Sequence, residues 1–217
     1  AQTIQPDAAA TVVKVVQGRQ VVRDTVIDPE SPNRNFGSAA RDNRVVRREA
    51  CNAFLIRFDL DRLGLEPDAQ LDKATVSFSV WDPSSQGSSK VCVFGLKTPW
   101  EEASATWQRP AADATWKGGR TFAFGVDTTE PVGHVVVPPN ASSDTIDPPL
   151  EYRLDVTSLV RNWLSGTTPN HGLAIATVID RAVDEGHFTR FQVLASEHRE
   201  ARHTPKLEVQ LRRTEGP

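Results

Sequence analysis

The chain alternates. In FLIRFDL, Phe54, Ile56, Phe58 and Leu60 fall on one side, Arg57 and Asp59 on the other. KATVSFSVW repeats the pattern, with Ala74, Val76, Phe78 and Val80 opposite Thr75, Ser77 and Ser79. A period of two is what a half-buried strand needs. QVVRDTVI, KVCVFGL, GHVVVP, EYRLDV, GLAIATVI, RFQVLAS and KLEVQL read as further strands. Polar or Gly/Pro turns separate them, which predicts an antiparallel β-sandwich or barrel. One segment changes period. In DVTSLVRNWLSG, Val156, Leu159, Val160, Trp163 and Leu164 recur at helical spacing. Asp155 suits an N-cap and Gly166 a C-terminal stop, so a helix is predicted over 156–164. Residues 111–150, rich in Pro, Thr, Gly and Asp, read as long loops between short strands.

Length adds that one sandwich fills the chain. Residues 20–212 form it, 1–19 are an extension or first strand, and 213–217 are a tail. A net charge of −3 argues against a general nucleic-acid binder. No run of 18 apolar residues is present to span a membrane as a helix. The sequence starts at Ala1 and contains no Met, as in a mature chain cut after a signal peptide, so a secreted or cell-surface monomer is expected. Cys51 and Cys92 lie at or near predicted strands. A disulfide and two buried thiols both suit them, and the bridge is the reading taken.

Charge placement raises a sharper question. Arg41, Arg44, Arg47 and Arg48 crowd beside the FLIRFDL strand of an acidic chain. A guanidinium fork pairs bidentately with a carboxylate, and a uronic acid polymer presents one carboxylate per sugar. In an extended stretch Arg41 and Arg47 share one side, Arg44 and Arg48 the other, and Asp42 and Glu49 interleave with them. The competing reading is a solvated ribbon with local ion pairs. Arg199 and Arg202, before the last strand, form a second basic group. Among the five tryptophans, Trp163 belongs to the apolar helix face, and Trp100 and Trp107 read as packing. Trp81 and Trp116 lie beside turn signals, where an exposed ring can stack on a sugar.

Catalytic patterns are scarce. There is no G-x-S-x-G elbow. His198 and His203, five residues apart near Glu197 and Glu200, lack the tight spacing of a zinc site. A glycosidase carboxylate pair is spatial rather than sequential and leaves no signature. Asp24, Asp28, Glu30 and Asn33 offer oxygen ligands for a structural calcium ion.

The order of landmarks adds a resemblance. It runs DTVIDPESPNRNFGS, FLIRFDL, LDKATVSFSVW, TPWEEASATWQRPA, LDVTSLVRNWLSG with NHGLAIA, then VLASEHREARHTPKLEV. Over about residues 20 to 212 this resembles the DNRLRE-type domains of secreted bacterial and archaeal proteins. Those are similar to a carbohydrate-binding module family that recognises alginate-like polysaccharides. The resemblance implies a jelly-roll β-sandwich without catalytic machinery. The longer loop around 111–150 and the two cysteines depart from the pattern. The expected function is therefore non-catalytic binding of an acidic polysaccharide. The alternatives are a structural or adhesive envelope module that binds no sugar and, less favoured, a polysaccharide hydrolase or lyase.

Overall fold

A computed structural model describes residues 11–38, 44–47, 51–65, 69–85, 88–137, 148–178 and 189–212. Its strands are β1 (Thr11–Gln17), β2 (Val22–Ile27), β3 (Arg44–Arg47), β4 (Ala53–Phe58), β5 (Gln70–Ser85), β6 (Ser89–Leu96), β7 (Thr128–Val137), β8 (Leu150–Asp155), β9 (Leu173–Val178), β10 (Thr189–Val193) and β11 (Lys206–Arg212). They make two antiparallel sheets. The first has the order β1-β11-β5-β10-β3, with β8 also paired to β5; the second has the order β2-β4-β9-β6-β7. Ser77 is paired with both Arg153 and Lys206, and Val80 with both Leu150 and Val193. So β11 and β10 follow one another along one edge of β5, and β8 takes the other.

The expected inward faces meet between the sheets. Phe54, Ile56, Phe58, Val76, Phe78 and Val80 belong to one buried cluster with Val22, Leu154, Ile175 and Leu207. Helix α1 (Thr157–Leu164) starts one residue later than its apolar period predicts. Asp155 still serves its start, its Oδ1 accepting from Thr157 N at 2.8 Å. Desolvation works against ionising that carboxyl. The donors of Thr157, with Lys73 and Arg161 nearby, outweigh it and hold Asp155 below its ordinary range. Gly166, at φ 71°, takes the left-handed conformation that ends the helix, and its N–H donates to the Trp163 carbonyl.

Two expectations about faces need correction. Thr75, Ser77 and Ser79 alternate away from the core, yet all three are buried. Longer side chains on the flanking strands close over them. Arg153 on β8 reaches Glu208 on β11 at 3.2 Å, and Lys206 on β11 reaches Glu151 on β8 at 3.5 Å. Both ion pairs span β5, which small side chains beneath them permit. The second sheet is covered on both sides too, and there both faces are apolar. Ala53, Leu55, Ala174, Ala176, Cys92 and Phe94 pack outward against Trp100, Ala105, Trp116 and Phe122. Residues 98–127 therefore form a packed cap over the outer face of this sheet.

Two groups hold the cap in place. Phe122 meets Trp116 and Phe124 edge to face, with centroids 5.1 and 5.0 Å apart. The carboxylate of buried Asp127 accepts from Thr98 Oγ1 (3.0 Å), Lys117 N (2.7 Å) and Ala123 N (2.9 Å). Beyond it, β7 contains the predicted GHVVVP strand but starts five residues earlier, at Thr128, in what reads in sequence as loop.

The two cysteines are not bridged to each other. Cys92 lies on β6, and Cys51 leads into β4, with β9 between those strands. Two strand spacings come to about 10 Å, beyond the roughly 7 Å over which Cα atoms can be bridged.

Candidate functional site

The predicted basic residues divide by position. Arg41 and Arg48 lie outside the described residues. Arg44 and Arg47 lie on β3, at an edge of the first sheet, in register with Gln192 and Thr189 of β10. Gln192 is itself in register with Trp81. Arg199 and Arg202 flank Glu200 in the turn before β11. Arg202 Nη2 is 3.0 Å from Glu200 Oε2, and Arg199 Nε is 4.0 Å from Oε1. The Arg202 hydrogen bonds come first in holding the Glu200 carboxyl below its ordinary range. Both arginine side chains remain about three-quarters exposed, at 75% and 77%. Gln17 Nε2 fixes the turn by donating to the Ala201 and Thr204 carbonyls at 2.7 and 3.1 Å.

Trp81 joins this surface. The half-buried indole meets His198 at 5.8 Å, and His198 meets His203 at 6.4 Å, both edge to face. The Trp81 ring, the 199–202 turn and the Arg44 backbone position thus gather around the junction of β10 and β11, partway along β5. Trp116 does not take part. It is 1% exposed beneath the cap, with Nε1 donating to the Thr106 carbonyl at 3.1 Å. The exposed ring expected there is a core side chain.

The proposed calcium ligands separate. Asp24 turns into the sandwich from β2, while Asp28 Oδ1 accepts from Glu30 N at 3.0 Å. Among the described residues, no three His, Cys, Asp or Glu side chains are grouped closely enough to hold a metal ion.

Instead, Asp24 belongs to a buried acidic group. Its Oδ2 accepts from Ser196 N at 2.8 Å, and its own N–H donates to Glu102 Oε1 at 2.8 Å. Asp24 Oδ1, Glu197 Oε2 and His198 Nε2 are buried without a hydrogen-bond partner. Burial, then the neighbouring Glu197 carboxylate, pushes the Asp24 carboxyl up to about 7 despite the Ser196 donors. Burial also raises Glu102, with Glu197 adding to it and Arg23 and Arg57 opposing.

A second surface, absent from the sequence reading, lies on the other sheet. A half-open groove of 870 Å³ runs between β2, β4 and the end of α1. Arg23, Arg57, Asp61 and Trp163 help to line it. Arg23 and Arg57 are direct cross-strand partners. No single-strand pattern reveals that pairing.

Compared with protein-family models and with curated proteins, the chain matches none.

Proposed function

We propose that the chain is a non-catalytic module that binds an acidic polysaccharide, such as a polyuronate, in a secreted or cell-surface setting. One observation carries this reading. Arg199 and Arg202 hold guanidinium groups in solvent on a tethered turn near Trp81, on the stretch of the first sheet where β3 brings the Arg44 backbone. A carboxylate chain crossing that stretch meets charge-assisted donors near an aromatic ring. The resemblance to DNRLRE-type and alginate-recognising modules agrees with this choice of ligand. A structural or adhesive module is the second reading. The inter-strand pairs Arg153–Glu208 and Lys206–Glu151 favour it, because they tie down charges that could otherwise meet a ligand.

Titration with alginate at two salt concentrations tests the proposal. Arg199→Ala with Arg202→Ala, and separately Arg44→Ala with Arg47→Ala, should each weaken binding about tenfold and flatten its salt dependence. The lysine variants should recover only part of the loss, since the fork is missing. Thermal stability should barely change, because exposed ion pairs contribute roughly 0–1 kcal/mol. A wild-type protein that binds no acidic glycan would leave the structural module as the better reading.

A further inference from the structure

Arg23 and Arg57 face one another across the β2–β4 ladder. Like charges directly opposite each other destabilise a sheet. One carboxylate is left to compensate both: Glu102 Oε2 lies 3.8 Å from Arg23 Nε, and the Arg57 charge also acts on it at longer range. Arg57 makes no ion pair among the described residues, and its guanidinium lies 5.9 Å from the centroid of the Trp100 ring. Arg23 is held in place by its own backbone, Nη1 donating to the Arg19 carbonyl at 2.8 Å and to Val22 O at 3.3 Å. Both residues line the 870 Å³ groove. That volume falls within the range of roughly 300–1,000 Å³ usual for small-ligand sites.

The rest of the groove is not simply basic. Asp59 and Asp61 also line it. Asp59 is occupied, with Oδ2 3.4 Å from Arg62 Nε and Oδ1 accepting from Asp61 N. The Asp61 side chain has no such ion pair among the described residues and can accept from hydroxyls. Trp163 and Leu60 add apolar surface. Asn170 is structural, spanning the Phe58 carbonyl and Gly172 N at 2.9 and 3.0 Å. Two arginines in cross-strand register, a carboxylate acceptor and the Trp163 side chain match a small ligand bearing one carboxylate and several hydroxyls.

We propose that the groove between β2, β4 and α1 binds a single uronic acid unit, with its carboxylate shared by Arg23 and Arg57 and its hydroxyls facing Asp61. The ligand relieves the cross-strand repulsion by placing a negative charge between the two forks. This site shares no lining residue with the 199–202 surface, so either can fail without the other. A long acidic chain can engage both, but a monosaccharide isolates the groove.

The test is a nuclear magnetic resonance titration of the full chain with sodium glucuronate, glucose and sodium acetate, following the Gly64 and Asn170 amides and the Trp163 indole. Glucuronate should shift these signals saturably, while glucose leaves them in place and acetate acts far more weakly. Arg23→Gln and Arg57→Gln should each weaken glucuronate binding about tenfold or more. Arg199→Gln with Arg202→Gln should leave it unchanged, even where alginate binding falls. Should Arg57→Gln disturb the Trp100 contact, Arg57→Lys keeps the charge and should still weaken binding. No saturable shift in wild type, an equal response to glucose or acetate, or full affinity in the Arg23 and Arg57 variants would overturn the proposal.

Discussion

At the scale of single residues, Asp24 makes the least expected choice. A carboxylate occurs on the inward face of β2 between Val22 and Val26, both core positions. It tolerates burial by taking up a proton near pH 7. The folded carboxyl ionises at about 7 against an ordinary value near 3.8. Between those values the folded state binds the extra proton, so stability must fall as pH rises. The contribution is fully present below about pH 4 and lost once pH passes 7, an effect on the order of 4 kcal/mol at 1.36 kcal/mol per unit. Asp24→Asn should flatten this slope and stabilise the protein at pH 8. Urea unfolding at pH 5 and pH 8 measures both. An unchanged slope would mean that Asp24 is ionised in the fold. An Asp inside an apolar alternation is visible in sequence. Its neighbours Glu102 and Glu197 are not, since 78 and 172 residues separate Asp24 from the Glu102 and Ser196 groups it bonds.

At the scale of elements, alternation shows which face of a strand meets the inter-sheet core, even where the other face is covered as well. FLIRFDL and KATVSFSVW display their inward faces correctly, because the inter-sheet core requires apolar side chains at every second position. Their outward faces are less legible, since what covers them comes from other segments. Residues 98–127 supply one such cover, and Trp116 is its largest fully buried side chain. Trp116→Ala should therefore cost roughly 3–5 kcal/mol, as emptying a packed aromatic site does. Alginate affinity per folded molecule should stay the same. A stable variant with lost affinity would return Trp116 to the sugar-stacking role. Asp127→Ala should act on the same cap by leaving the Lys117 and Ala123 amides without their buried acceptor. Hydrogen exchange should quicken at those two amides first and reach the β4 ladder only on global unfolding.

At the scale of the whole molecule, the two sheets are held by packing and by pairing between segments distant in sequence, such as β1 with β11. No disulfide joins the cysteines. A reducing agent should leave the melting temperature unchanged, and denatured protein should titrate with two thiols under non-reducing conditions. A drop in melting temperature on reduction would reveal a bridge. Sequence periodicity by itself determined most strand segments, though not β1, β3 or the first half of β7, and the helix with its stop at Gly166, because local backbone geometry turns a period of 2 or 3.6 into one apolar face. It also exposed the arginine-rich stretches as candidate anion sites. Only the tertiary structure decided which strands are neighbours, and that order separates Cys51 from Cys92 and sets Arg23 opposite Arg57. It also decided that Trp116 is covered while Trp81 stays half-buried. Such outcomes depend on register and on contacts between segments far apart in the chain, and the alternation within one strand does not encode its partner.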